Sequence, residues 1–189
     1  MTTTSCTVAL LLALAWFKRL HGAHEVVIPK RTYVGVAMSV VNAGHDIAFR
    51  DEQWSGQYQL SPFPLFDAAR RFTSGMHKPW HMEAVSFHWA KILGIEQGGA
   101  LLLDDPQAEE WLRRARFDGR TEGVHPKEDT FDFLGWHAYM APETAAKGLM
   151  RLSLLARHNA DLPNSDYSDL SLAPVFRGRV KNAIAEAAE

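Results

Sequence analysis

Ala84-Val-Ser-Phe-His88-Trp-Ala-Lys91-Ile-Leu-Gly94-Ile-Glu-Gln-Gly-Gly99 is the stretch whose reading decides the fold. Ala84 to His88 has the short apolar pattern of a strand, and the glycine-containing turn from Gly94 to Gly99 leads into a second apolar run, Ala100-Leu-Leu-Leu103. A lysine between a strand end and a glycine-rich turn stands at the mouth of a sheet, where ligands of α/β folds bind. Taken alone, Lys91 reads either as an exposed loop residue or as an amine nucleophile that condenses with a carbonyl.

Outward from this stretch, short β-type runs alternate with helical spacing, the pattern of an α/β layer architecture. Ser5 or Thr7 caps a helix that runs to about His21. Glu25 to Pro29 and His45 to Phe49 read as strands, with a helix from Tyr33 to Asn42 between them. Ser61-Pro-Phe-Pro64 feeds an apolar run that ends at Asp67. Asp105-Pro106 starts a helix that continues to Phe117, and 118–132 reads as a long polar loop. Pro142 opens the last helix, to about Leu155. Beyond Asn159 the chain is polar and proline-interrupted, and Lys181 to Glu189 reads as a terminal helix or a frayed tail.

The chain has 189 residues, 47% of them hydrophobic, and a formal net charge of −2, which fits one globular domain without a global field for nucleic acid or an anionic membrane. A single cysteine, Cys6, forms no internal disulfide and leaves no cysteine zinc framework, so the expected setting is a reducing cytoplasm. The apolar run Thr7 to Phe17 imitates the core of a signal peptide. Its basic residues, Lys18 and Arg19, follow it instead of preceding it, and it is too short to span a bilayer, so it reads as a buried helix.

Two further elements carry chemistry. Phe63-Pro-Leu-Phe-Asp67-Ala-Ala-Arg70 ends a strand in a carboxylate, which reads as a helix cap or as the partner of a protonated ring nitrogen. Thr3-Thr-Ser5-Cys6-Thr7 places small hydroxyl residues before a helix, where they cap it or help its free N–H groups to bind an anion. His77, His81, His88 and Glu83 come close in sequence, but Pro79 interrupts them and no zinc motif results, so no metal is expected. Arg113, Arg114, Arg116 and Arg120 read as a solvated helical face or as a contact for a diphosphate.

In this order the three elements resemble the DegT/DnrJ/StrS sugar aminotransferases, fold-type I enzymes that use pyridoxal 5′-phosphate. The resemblance covers roughly Thr4 to Phe176 and is strongest at Ser86-Phe-His-x-x-Lys91 followed by Gln97-Gly-Gly-Ala-Leu-Leu-Leu-Asp104-Asp105. Ser5 to Leu10, Val27 to Val34, Asp67-Ala-Ala69 and Gly135 to Met140 support it. It implies a three-layer α/β/α sandwich with a mainly parallel sheet over residues 1–159, and a remnant C-terminal segment over 160–189.

The resemblance further implies that Lys91 binds the cofactor covalently and moves a proton, and that Asp67 holds the pyridine nitrogen protonated. Ser5, Cys6 and Thr7 would cradle the phosphate with Ser86 assisting, and Tyr33 would stack on the ring. Arg70 and His88 would stand beside the cofactor, and His137 would reach the phosphate of a neighbouring subunit. Trp89 and Ile92 are expected to give Lys91 apolar surroundings. The implied substrates are an amino-acid donor such as glutamate and a nucleotide-linked keto sugar, and the implied assembly is a homodimer with shared active sites. The departures are also informative: only Asp51 to Pro62 stands where the family has a strand and a helix before the aspartate, the N-terminal arm is missing, and the small domain is reduced. These motivate an alternative, a non-catalytic binding or regulatory protein or one part of a split enzyme.

Overall fold

The computed structural model describes residues 1–164 and 166–178; the terminal segment Lys181 to Glu189 lies outside them. In chain order the elements are β1 (Thr2–Thr3), α1 (Cys6–His21), β2 (Glu25–Pro29), α2 (Val34–Asn42), β3 (Asp46–Arg50), β4 (Tyr58–Gln59), β5 (Leu65–Asp67), β6 (Met82–Ser86), β7 (Gly99–Leu102), α3 (Pro106–Ala115) and α4 (Pro142–Leu154). Two 3₁₀ turns follow at Leu170–Leu172 and Pro174–Phe176.

Helix α1 is the spine. Ser5 is extended, and its hydroxyl accepts the Val8 N–H at 3.2 Å. At the other end Lys18, Arg19 and His21 sit against the negative end of the helix, and Gly22 takes the left-handed φ of 81° that ends it. Its buried residues, from Cys6 through Leu10, Leu12, Leu14 and Trp16 to Phe17, occupy more than one face, because the helix is enclosed by the sheet, α2 and α3. Asp105 caps α3 through the amides of Gln107 and Ala108, and Trp111 of α3 meets Trp16 at 5.6 Å between ring centroids.

A five-stranded sheet has the order β1-β7-β6-β5-β4, and β2 and β3 form a parallel pair with Glu25 opposite Asp46 and Pro29 opposite Arg50. A bridge between Val27 and Ser61 links the pair to the approach of β5. The α/β class expected from the sequence is present, but the sheet is mixed instead of mainly parallel: of five strand pairs, only β2–β3 and β5–β6 are parallel. The cause lies in the connections. A parallel neighbour needs a long crossover, usually a helix. The segment between β6 and β7 carries no helix, and β4 turns directly into β5, so both pairs run antiparallel.

One face of the sheet is covered by α1 and its helical neighbours. On the other, a smaller cluster of Ala68, Val85, Phe87, Leu93, Ile95 and Ala100 is closed by loops and by partly buried Phe72, Met140 and Leu155. Helix α4 buries no residue; Lys147 bonds Glu96 at 2.9 Å and Arg151 donates to the Leu93 carbonyl at 3.3 Å, tying it to the loop that follows β6. Residues after Asn159 pack back on the chain: Asp161 pairs with Arg71, and Phe176 is buried against Phe49. β6 begins two residues before the expected strand and stops at Ser86: Phe87 still donates to the Gly98 carbonyl, but its own carbonyl accepts the Ile95 N–H at 2.9 Å, which closes the loop instead of extending the ladder.

The end of α1 also holds a buried histidine. His45, 5% exposed, accepts the His24 N–H on Nδ1 at 3.1 Å, so Nε2 carries the proton and faces the Leu14 carbonyl at 3.0 Å. Burial holds its pKa below the ordinary histidine value. The unfolded chain therefore binds a proton that the native state refuses, and stability present above about pH 6.5 is lost as pH falls through the lower folded value. Thermal unfolding between pH 7.5 and 5 is expected to show a falling Tm, with a shallower slope in His45→Gln; equal slopes would contradict this role.

Candidate active site

Strands β5 and β6 run parallel, so Asp67 and Ser86 end at the same edge of the sheet. The start of α1 and the start of β7 meet them there. What allows the close approach is Gly99: a Cβ on it would lie 2.4 Å from the Cys6 nitrogen and 2.5 Å from the Ser5 carbonyl carbon. A cavity of about 730 Å³ opens at this junction. Ser5, Cys6, Thr7, Tyr33, Asp67, Arg70, Ser86, His88 and Lys91 all line it, so of the residues that the resemblance places at the cofactor all but His137 reach one space.

Asp67 is 3% exposed. Its Oδ1 accepts the Ala69 N–H at 2.9 Å and has the Cys6 sulfur at 3.9 Å; its Oδ2 accepts the Tyr58 hydroxyl at 2.8 Å. Burial raises its pKa, while the Ala69 amide, the Tyr58 hydroxyl, the Lys91 charge and the Cys6 thiol pull the other way. Lys91 follows a tight turn in which its N–H meets the His88 carbonyl at 2.8 Å. Burial lowers its pKa first and the Arg70 charge second, against the opposing pull of Asp67 and Cys6. An amine so placed is readier to lose its proton than an exposed lysine. Trp89, expected to shield it, is 72% exposed and does not serve; Arg70 does part of that work through its charge.

The phosphate cradle read from Ser5, Cys6 and Thr7 changes in detail. The Cys6 side chain points into the sheet, toward Asp67 and the Ala84 carbonyl at 3.4 Å, and burial pushes its thiol pKa well up. Only its backbone N–H is left for an anion. Ser5 serves as the N-cap of α1, and its rotatable hydroxyl hydrogen is still available to donate. Ser86 accepts the His88 N–H on its hydroxyl at 3.4 Å.

His137 lies away from this cavity. Its side chain is exposed, bonds Asp118 through Nδ1 at 2.9 Å, and meets the Tyr139 ring at 4.6 Å. The arginines of α3 are held within the chain: Arg113 by Glu109, Arg114 by Asp132, Arg116 by Glu122 and the Thr2 carbonyl, and Arg120 over the Phe117 ring. They fasten the long loop after α3 and do not face the cavity. His77 pairs with buried Glu83, and no group of three or more potential metal ligands occurs among the described residues. Trp54, Glu96, Gln97 and Tyr167 also line the cavity; Glu96 and Gln97 lie within the stretch from Ala84 to Gly99, and Trp54 and Tyr167 carry no local signal.

With this geometry in place, comparison with known proteins is informative. Residues 1–63 match the sequence profile of the DegT/DnrJ/EryC1/StrS aminotransferase family, and no curated protein matches the chain in sequence. Among solved structures, AtS13 from Actinomadura melliaura is similar with a TM-score of 0.69 at 18% identity, over 81% of this chain and 54% of that one. The sugar aminotransferase CalS13 from Micromonospora echinospora gives 0.66 at 17%, over 81% and 55%. A DegT DnrJ EryC1 StrS aminotransferase from Brucella abortus gives 0.66 at 19%, over 82% and 53%. The chain is thus similar to this family in sequence over its first third and shares the fold of these structures over most of its length. It spans about half the length of these structures.

Since the site depends on the contact at Gly99, Gly99→Ala forces β7 and α1 apart. Denaturant unfolding is expected to show a loss of about 1–3 kcal/mol, the usual cost of overpacking. Unchanged stability would contradict the geometry.

Proposed function

We propose that the chain is a pyridoxal-phosphate-dependent aminotransferase that moves an amino group from an amino acid, glutamate or a similar donor, to the keto group of a nucleotide-linked sugar. The observation that carries this reading is the convergence of Lys91 and buried Asp67 on one cavity at the N-terminus of α1. The residues present fit the cofactor. An amine with a lowered pKa, a buried carboxylate and a helix start left open by Gly99 correspond to its aldehyde, its ring nitrogen and its phosphate.

When bound, pyridoxal phosphate supplies the electron sink that lets an amino acid release its α-proton. In this reading Lys91 would hold the cofactor's aldehyde, and its amine, with a pKa lowered by burial and by Arg70, would accept and return the α-proton. Asp67 keeps a proton on the ring nitrogen. The first amides of α1, with the hydroxyls of Ser5, Thr7 and Ser86, bind the phosphate. Tyr33, Arg70 and His88, which line the cavity, would stand beside the ring, and His137 would donate to the phosphate of a second subunit. Residues 1–159 would form the cofactor domain and 160–189 a reduced C-terminal part.

The assembly would be a cytoplasmic homodimer. Exposed Leu149, Met150, Leu152 and Leu154, close together on α4, support an associated state, since apolar side chains grouped on one exposed helix mark interaction sites. No helix among the described residues is long and apolar enough to cross a membrane. A second reading, a binding protein or one part of a split enzyme, is favoured by the half-length match to the solved structures. Mixing the purified protein with pyridoxal phosphate is expected to produce a visible absorption band that Lys91→Ala abolishes. A wild type without that band overturns the cofactor reading, and a band without amino transfer to any keto sugar favours the second.

A further inference from the structure

Beneath Asp67 lies a buried polar chain that the proposed reaction does not use. Thr32 Oγ1 is 2.6 Å from the Tyr58 hydroxyl, which is 2.8 Å from Asp67 Oδ2, and all three side chains are buried. The contact follows from strand register: β4 runs antiparallel to β5 with Tyr58 directly opposite Asp67. Tyr58 has one hydroxyl hydrogen. While Asp67 is ionised it can only accept, so Tyr58 donates to it and Thr32 must donate to Tyr58. Were Asp67 protonated on Oδ2, it would donate to Tyr58 and the chain would run the other way. The direction of these hydrogen bonds is therefore tied to the charge on Asp67.

We infer that Tyr58, oriented by Thr32, is a positioning residue that keeps Asp67 ionised in its buried site, so that the carboxylate meets the cofactor's ring nitrogen as an anion. The last clause rests on the cofactor reading above; the first does not. The other groups facing Asp67 are the Ala69 amide and the Cys6 thiol, both on Oδ1, and the Lys91 amine, whose own charge is weakened by burial and by Arg70. Among the described residues Tyr58 is the donor that serves Oδ2. An ion this buried, with one oxygen stripped of its donor, takes up a proton more readily. Tyr58 comes from the short segment between Asp51 and Pro62, the part of the sequence that departs most from the family pattern.

The test compares wild type, Tyr58→Phe and Thr32→Val. Carbon-13 NMR of labelled aspartate carboxyls in the cofactor-free protein is expected to show the Asp67 titration midpoint moving up in both variants, further in Tyr58→Phe. Pyridoxal phosphate affinity near pH 7.5 is expected to fall about tenfold or more in Tyr58→Phe, the worth of one hydrogen bond to a charged group, with the gap closing at higher pH where Asp67 is ionised regardless. An unchanged midpoint in folded Tyr58→Phe overturns the inference. If that variant does not fold, an unchanged midpoint in Thr32→Val overturns it. A wild type that binds no pyridoxal phosphate defeats the cofactor reading, while the NMR midpoints still decide the role of Tyr58.

Discussion

A carboxylate withdrawn from water is the constraint around which this structure is arranged. Asp67 ends β5 at 3% exposure, and a buried charge persists only where donors and opposite charge replace its hydration. Each neighbouring element answers part of that need: α1 through Cys6, β4 through Tyr58, the turn after β5 through the Ala69 amide, and the loop after β6 through Lys91. The same arrangement brings the amine and the carboxylate to one cavity beside a helix start. Fold and chemistry therefore share a cause, since the contacts that make Asp67 tolerable also form the site.

How much of this was legible in the sequence depends on the range of the signal. Helix α1 could be read because its cap, its apolar run and its terminal basic residues and glycine are all local. Lys91 and Asp67 could be placed because each follows a strand beside a recognisable turn. Strands β1 and β4 were missed, since two residues hold no periodicity, and with β4 went Tyr58 as a partner of Asp67. Strand direction was misjudged because it depends on what the connections contain: 87–98 has no helix to carry a crossover. The arginines around α3 showed a charge pattern but not their partners, which lie on α3 itself, in the following loop or on β1. Cys6 could be placed at the helix start, whereas the direction of its thiol is set by β5 and β6.

Length remains the feature that separates this chain from its structural neighbours. It matches about half of each. On this chain helix α4 leaves apolar side chains exposed, and His137 is paired with Asp118 outside the cavity.

The central claim is that Lys91, and no other lysine, is the amine poised to react with an aldehyde held in this cavity. Incubation with pyridoxal phosphate, reduction with borohydride and peptide mass mapping test it directly. The chain offers Lys18, Lys30, Lys78, Lys91, Lys127, Lys147 and Lys181 as competitors in one experiment. The account predicts one pyridoxyl group per chain, on the peptide that contains Lys91. A label spread over several lysines, or confined to one of the others, would contradict it.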